Sequence, residues 1–264
     1  MMNTTTTLPA NTLRPPQSPA AADRLSAAPA VPAPTRPSAR KSTTLGALLV
    51  AEALLSFAPL AILGAAIGWP ASLGKPAAEQ LAAVHANAGT VALGYGVYLL
   101  YSILIAPLMI ALAARLPGGL TSTLGATVAA FGVLSALARA IGILRWLTVM
   151  PALAAAHAGA DPAARADIER LFNAITLYGG GIGELLGVSL FMALGLGLAC
   201  AAALRQGGLP RALAGLGLLS ALLLAALLLP TFGAPALVPV AAAVSLLSLW
   251  MLCTGVWCLL RRAR

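Results

Sequence analysis

Six long apolar runs lie between Leu45 and Leu260 and constrain the fold more than any other feature. Each is long enough to cross a bilayer, because a helix rises about 1.5 Å per residue and the hydrocarbon layer is roughly 30 Å thick. Only 9% of the residues are charged, against about 25% in a soluble domain. The sequence therefore predicts an all-α polytopic membrane protein with the lipid bilayer as its surroundings. The six predicted spans are 45–69, 88–113, 120–150, 175–204, 212–229 and 238–260.

The distribution of lysine and arginine predicts the orientation of the bundle. With both termini inside, every inside segment is basic, which is the pattern of cytoplasmic loops. Inside segments hold Arg14, Arg24, Arg36, Arg40, Lys41, Arg115, Arg205, Arg211, Arg261, Arg262 and Arg264. Outside segments hold Lys75, Arg165 and Arg170. We therefore expect both termini in the cytoplasm.

The N-terminal region differs in composition from the rest of the chain. Residues 1–44 are dominated by Thr, Pro, Ala and Ser and contain eight prolines. Such a segment buries too little apolar surface to offset the entropy of ordering, so we predict a disordered cytoplasmic tail. Residues 45–264 then form the six-helix transmembrane domain.

Several functional classes find no support in the sequence. The net charge of +9 comes from helix ends and the tail, with no aromatic-basic platform, so nucleic-acid binding is not expected. No span contains histidine, and motifs for a zinc protease, a serine hydrolase or a phosphate loop are absent. His85, His157 and Asp161 would be the candidates for a zinc site, but solvated loop residues are the simpler reading. We expect no catalytic residue, no cofactor and no metal, and hence no enzyme.

Four formally charged residues lie inside the spans: Glu52, Arg139, Arg145 and Glu184. A charge at mid-membrane costs roughly 2.5–3.5 kcal/mol, and pairing of opposite charges lowers this cost. Arg139 and Glu184 lie at similar depth on consecutive antiparallel spans, which predicts an ion pair between them. Arg145 is near enough to the outer surface to reach the headgroups. Glu52 is roughly 10 Å deeper than Arg139 on straight helices.

Glycines recur at four-residue intervals in two of the spans. Gly179, Gly183 and Gly187 flank Glu184, and Gly64 and Gly68 repeat the spacing in the first span. A ridge of small residues lets another helix approach closely, so these positions predict helix packing. The alternative is a flexible or locally unwound segment beside a buried carboxylate, as in the broken helices of transporters.

One external loop contains a helix-start signal. Asp161 precedes Pro162, and a stretch with helical spacing follows from Ala163 to Phe172. Aspartate is a good N-cap and proline suits the first helical position. The pattern predicts a short interfacial helix capped by Asp161.

Several short motifs resemble one known family. They are Ala138-Arg139-Ala140-Ile141, a long external loop, a glycine-rich fourth span, and the turn Gly208-Leu209-Pro210-Arg211. Together they resemble the bacterial six-helix membrane family known as domain of unknown function 4386, over about 45–229. The resemblance implies a bacterial inner-membrane location and no established activity.

Two functional hypotheses remain at this point. In the first, the buried Arg/Glu core serves small-solute or proton-linked transport or sensing, since an intramembrane carboxylate can be a proton site. In the second, the protein is a structural or regulatory membrane subunit whose glycine-rich faces bind a membrane protein partner or another copy of the chain. The sequence identifies no small-molecule ligand.

Overall fold

The computed structural model describes residues 39–261, with side chains from Thr43 onward. The backbone over this range is mostly helical, with short turns and irregular links and no strand, and helices satisfy their polar groups internally, as lipid requires. The α-helices are α1 (Ala39–Leu55), α2 (Phe57–Ile67), α3 (Ala77–Ala86), α4 (Ala88–Ala113), α5 (Thr123–Leu147), α6 (Val149–Gly159), α7 (Pro162–Gly180), α8 (Met192–Gln206), α9 (Arg211–Ala226) and α10 (Val240–Leu260). A π-helix, Gly181–Phe191, joins α7 to α8. Short 3₁₀ turns occupy Ala71–Gly74, Gly119–Thr121 and Leu229–Phe232.

The predicted six spans are confirmed. Six helices are long and apolar enough to cross a membrane: Thr43–Ile67, Ala88–Ala113, Thr123–Gly159, Pro162–Gln206, Arg211–Phe232 and Val240–Leu260. We call them spans 1 to 6. Most of the predicted tail, residues 1–38, lies outside the described residues. Helix α1 begins at Ala39, so helical structure starts six residues before the predicted domain boundary.

Neighbours around the bundle follow the order of the sequence. Each span packs against the next one, and span 6 closes the arrangement by packing against span 1. The main apolar core lies among α1, α4, α8, α9 and α10 and includes Leu49, Met109, Leu196 and Trp250. We call the side of the bundle on which α1 begins and α10 ends the terminus side, and the other the far side.

Two spans are much longer than a bilayer requires. At about 1.5 Å per residue, the 37 residues of span 3 and the 45 of span 4 extend roughly 55 and 67 Å, against a hydrocarbon core of roughly 30 Å. Their far ends meet α3 and form a second apolar core, which includes Leu81, Val84, Trp146, Met150 and Phe172. We call this far-side assembly of α3, α6 and the first part of α7 the cap.

Two spans break three residues before a proline. Span 1 is interrupted at Ser56, ahead of Pro59, and span 3 at Thr148, ahead of Pro151. Proline cannot donate a hydrogen bond to the carbonyl four residues earlier, and its ring crowds that turn. The two prolines account for the positions of these breaks, whereas Pro107 lies inside the continuous helix α4.

The predicted N-cap at Asp161 is confirmed, but its helix is longer than expected. The Asp161 carboxylate accepts hydrogen bonds from the Ala163 and Ala164 backbone amides at 2.9 and 3.0 Å. The helix does not stop at Phe172, because α7 runs on through the π-helix into α8. The apolar side chains of α7 pack in the cap, and this packing stabilises the helix beyond its predicted end.

Replacing Asp161 with alanine should destabilise the cap by about 1 kcal/mol, because two backbone amides lose their acceptor. Asp161→Ser should retain most of the stability, since serine also caps. Asp167→Ala, an exposed acid farther along the same helix, is the matched control. Thermal unfolding in detergent ranks the stabilities of the three variants. Equal losses of stability for Asp161→Ala and Asp167→Ala would contradict the capping role.

Candidate functional site

Glu52 is a fully buried carboxylate on span 1. Its side chain is 0% exposed, and neither carboxylate oxygen has a hydrogen-bond partner. It lies one turn before the break at Ser56, and its backbone carbonyl accepts the Ser56 amide at 3.0 Å. A carboxylate that is neither solvated nor hydrogen-bonded is costly in its charged form. Its charged neighbour is Arg139.

Arg139 on α5 is also buried, at 3% exposure, and is only partly hydrogen-bonded. Its Nη1 lies 3.5 Å from the Tyr101 hydroxyl, and the guanidinium carbon lies 5.8 Å from the centroid of the same ring. Nε and Nη2 have no hydrogen-bond partner. One edge of this guanidinium is therefore free inside the bundle.

The predicted ion pair between Arg139 and Glu184 does not form: among the described residues no salt bridge joins them. The charged neighbour of Glu184 is Arg145. A helical side chain leans toward the N-terminus of its own helix. Arg139 and Arg145 therefore lean toward the terminus side, whereas Glu184 on the antiparallel span leans toward the far side. The nearest opposite charge that acts on Glu52 is thus that of Arg139, and the one that acts on Glu184 is that of Arg145.

Simple helix lengths agree with the Arg145–Glu184 pairing, whereas they leave Arg139 about equally far from Glu52 and Glu184. Counted from the terminus-side ends of their spans, Arg145 and Glu184 both lie about 33 Å along the bundle. Arg139 lies about 24 Å and Glu52 about 14 Å along it on the same measure. Arg145 does not extend straight toward the outer surface, because its Nη1 donates to the Gly142 carbonyl at 2.9 Å and its guanidinium lies 5.6 Å from the Trp146 ring centroid.

A cavity of about 50 Å³ lies among spans 2, 3 and 4 beside these charges. Arg139, Arg145 and Glu184 all contribute to its wall, and Glu184 is also exposed, so it lies at the cavity's edge. Tyr95 and Trp146 stack in the wall with ring centroids 4.8 Å apart. The remaining lining residues are Trp69, Leu73, Tyr98, Gly142, Ile143, Gly179, Gly180, Gly183 and Val188.

The glycines around Glu184 all face α5. A Cβ on Gly179 would lie 2.7 Å from the Arg145 side chain, and one on Gly187 would lie 2.8 Å from that of Arg139. Gly183 meets Gly142, where a Cβ on Gly142 would lie 2.7 Å from the Gly183 Cα. The ridge thus leaves room for both arginines. The segment is not unwound, since it continues the helix in π geometry.

The π-helix is a notable feature because long π segments are rare and shorter ones often mark functional sites. It carries Glu184, Gly183 and Gly187. The Ser135 hydroxyl on α5 donates a hydrogen bond of 2.7 Å to the Gly187 carbonyl. This bond and the glycine contacts hold the π-helix directly against α5.

Gly64 and Gly68 have a different role from the one predicted. Gly68 ends α2 with φ +70, a left-handed conformation that suits glycine, and its amide donates to the Gly64 carbonyl. No atom of another span lies within 4 Å of a Cβ built on either residue. Their spacing therefore reflects a helix end rather than a packing ridge.

Sequence reasoning also missed residues that shape the site. Tyr95, Tyr98 and Tyr101 recur at three-residue intervals on α4, and the first two line the cavity while the third contacts Arg139. This tyrosine stripe in an otherwise apolar span is the sequence feature that could have identified these residues as part of the site. Gly142, between the two arginines of α5, carried no such signal, because its importance depends on which helix lies opposite.

The histidines do not converge on a metal site. His157 lies 2.9 Å from the Glu169 carboxylate and links α6 to α7 within the cap, while His85 is exposed on α3. Within residues 39–261 no three metal-ligating side chains come together. Asp161 is engaged as a helix cap.

One family comparison bears on this architecture. The family described as Domain of unknown function (DUF4386) matches residues 44–260. The chain belongs to this family. The DUF4386 match includes all six spans, so the four intramembrane charges, the cavity and the π-helix all lie inside the family domain. No curated protein and no solved structure matches the chain.

Proposed function

We propose that this DUF4386 member is a non-enzymatic, multi-pass protein of the bacterial inner membrane that links a proton to the transport or sensing of a small solute. The residues that would carry this role are Glu52, Arg139, Arg145 and Glu184. The observation that carries the proposal is the Glu52 carboxylate, which is wholly buried without a hydrogen-bond donor. The Lys and Arg distribution supports cytoplasmic termini.

The environment of Glu52 suits a proton site better than a structural brace. A brace requires close, well-oriented contact between the charges, because only that offsets their desolvation. Glu52 feels the charge of Arg139 but makes no salt bridge with it. A proton taken up by Glu52 removes its charge, and release restores the attraction to Arg139. Intramembrane carboxylates of this kind mark proton relays in pumps and transporters.

The backbone beside Glu52 supports movement. The break at Ser56 interrupts span 1 one turn after Glu52, and the Ser56 hydroxyl lies 3.1 Å from the Ser248 hydroxyl on α10. Transporters place their sites at interrupted helices near the middle of the membrane. A change in the charge of Glu52 therefore acts one turn from the break in span 1.

The alternative proposal is a structural or regulatory subunit that binds a partner through its glycine-rich faces. Close glycine contacts favour tight packing in general. However, Gly179, Gly183 and Gly187 are buried against α5 of the same chain. The ridge is therefore occupied, and the proton-linked role has the stronger support.

Glu52→Gln is expected to abolish proton binding in the core, because glutamine has nearly the same shape but cannot take up a proton. Infrared difference spectra of the wild type between acid and alkaline buffer should contain the C=O band of a buried protonated carboxylic acid. The band should be absent from Glu52→Gln and retained in Glu79→Gln, an exposed acid on α3.

The functional readout uses vesicles with labelled glycolate, glycine or glycerol, which represent an anionic, a zwitterionic and an uncharged solute. Wild-type vesicles should accumulate at least one of them faster when the external buffer is more acidic. Glu52→Gln vesicles should lose this acceleration. Equal accumulation by the wild type, Glu52→Gln and protein-free vesicles would reject the transport role.

A further inference from the structure

The charges of Arg145 and Glu184 lie at one edge of the membrane rather than at its centre. Both residues are about 33 Å along the bundle from its terminus side. Spans 5 and 6, with 22 and 21 residues, are about 33 and 32 Å long and reach roughly the same level. A hydrocarbon layer of roughly 30 Å that begins at the terminus-side ends of the spans therefore ends close to these two charges. This is the level of the lipid headgroups in the far-side leaflet.

Both charges lie at the rim of the cavity. Glu184 is exposed, and Arg145 is half-buried. Nε of Arg145 is enclosed and its Nη1 donates to the Gly142 carbonyl, so Nη2 is the nitrogen that remains for a group outside the bundle. Nη2 lies beside the half-buried Gly180, since a Cβ built on that glycine would be 3.5 Å from it.

The two charges are neighbours without direct contact. Glu184 has Arg145 as its charged neighbour, but within the described part of the chain no salt bridge joins them. Burial of both groups against each other would have hidden them from lipid. The rim instead presents a carboxylate and a guanidinium nitrogen side by side, which suits a third group that carries both signs of charge.

The surface around this rim has the composition of a bilayer boundary. Leu137 and Ile141, on the terminus side of Arg145, are exposed apolar side chains that suit contact with acyl chains. Tyr178 on the far side of Glu184 is 76% exposed, and the ring of Trp69 lines the cavity. Tyrosine and tryptophan concentrate at headgroup level in membrane proteins. A lipid molecule can therefore lie along α5 with its headgroup at the rim.

Charge complementarity identifies the headgroup. A phosphate accepts hydrogen bonds from a guanidinium, and a primary ammonium donates them to a carboxylate. Phosphatidylethanolamine carries both groups, joined by a two-carbon link. Phosphatidylcholine has no N–H to donate to Glu184. Phosphatidylglycerol has no cation, so its negative charge is repelled by the same carboxylate.

We propose that Arg145 and Glu184 form a binding site for the headgroup of phosphatidylethanolamine in the far-side leaflet, with the phosphate on Arg145 and the ammonium on Glu184. The site goes beyond the proposed function, because it requires neither a proton on Glu52 nor a transported solute. It also explains how two charges that do not touch are accommodated at the edge of the bilayer, since the lipid supplies each with its opposite charge.

Native mass spectrometry of the full-length protein, purified in detergent and titrated with lipid, tests the proposal. The probes are phosphatidylethanolamine, phosphatidylcholine and phosphatidylglycerol with identical acyl chains. The first bound molecule should be phosphatidylethanolamine, with an apparent affinity about threefold or more above the other two, as expected for partly exposed ion pairs. Equal affinities of the three lipids for the wild type would overturn the proposal.

The variants locate the site on the rim. Glu184→Gln should weaken the binding of phosphatidylethanolamine, because its ammonium loses the carboxylate, and should strengthen that of phosphatidylglycerol, because the repulsion is removed. Arg145→Gln should weaken all three lipids, since they share the phosphate. Glu79→Gln, at an exposed acid on α3, is the matched control and should bind like the wild type.

The opposite signs expected for Glu184→Gln distinguish a headgroup contact from a loss of fold, which would weaken all lipids together. An unchanged lipid preference in Glu184→Gln would overturn the proposal. Soluble O-phosphoethanolamine provides a further arm of the experiment. Its binding to the wild type without any preference among the three lipids would assign the rim to a dissolved zwitterion and would likewise overturn the lipid site.

Discussion

Gly142→Ala is expected to destabilise the protein by about 1–3 kcal/mol, the usual cost of overpacking a tight contact. The new methyl group would lie 2.7 Å from the Gly183 Cα and 2.9 Å from the Gly179 carbonyl oxygen. These are backbone atoms, so no side chain can turn aside to make room. The π-helix would have to move away from α5, which would also open the cavity between the two arginines.

Gly96→Ala is the matched control, and its effect on stability should not be destabilising. Gly96 lies within a span, on α4, and a Cβ built there meets no atom within 4 Å. Alanine is better than glycine in a helix by about 1 kcal/mol, so Gly96→Ala should be neutral or stabilising. Thermal unfolding in detergent separates the two variants. Similar stabilities for both would show that α5 and the π-helix are not in the close contact described.

Arg139→Gln is expected to lower the unfolding free energy by less than the about 3–5 kcal/mol lost when a buried salt bridge is broken, because it removes the opposite charge near the buried Glu52 carboxylate but no direct contact with it. Most of that loss should be recovered in the double variant Arg139→Gln with Glu52→Gln, which removes both charges. The measurement is the unfolding free energy in alkaline buffer, because in acid a proton on Glu52 would remove the unpaired charge.

The choice of second site distinguishes the pairing seen in the structure from the one expected from depth alone. Glu184→Gln should not rescue Arg139→Gln, since the charged neighbour of Glu184 is Arg145. It should instead rescue Arg145→Gln. Rescue of Arg139→Gln by Glu184→Gln, with none by Glu52→Gln, would restore the pair predicted from the sequence and remove the structural basis for treating Glu52 as the partner of Arg139.

The spans could be predicted closely because lipid imposes a simple rule on composition. Span 2 begins at Ala88 and ends at Ala113 as predicted, since its apolar run is bounded by polar residues. Spans 3 and 4 were predicted too short at their far ends. Beyond the membrane the helices persist because apolar side chains such as Met150 and Phe172 pack in the cap, and hydropathy alone does not report that packing.

The charged residues of the candidate site were predicted, but neither their arrangement nor the tyrosines beside them were. All four charged residues were identifiable, because any charge inside an apolar span is exceptional. Their partners depended on the lean of each side chain toward the N-terminus of its helix, which is opposite in spans 3 and 4. Gly142 could not be recognised, since an isolated glycine becomes important only when another backbone lies against it.

The sequence by itself determined that lipid surrounds this chain, that six helices cross it, and that two arginines and two glutamates must be accommodated inside. These properties follow from the order of apolar and charged residues along the chain. Only the tertiary structure decided that Glu52 lies under the influence of Arg139, that Glu184 lies under that of Arg145, and that a cavity with both arginines and Glu184 in its wall remains beside them. The rotation, direction and separation of packed helices set those distances, and no local pattern of residues contains that information.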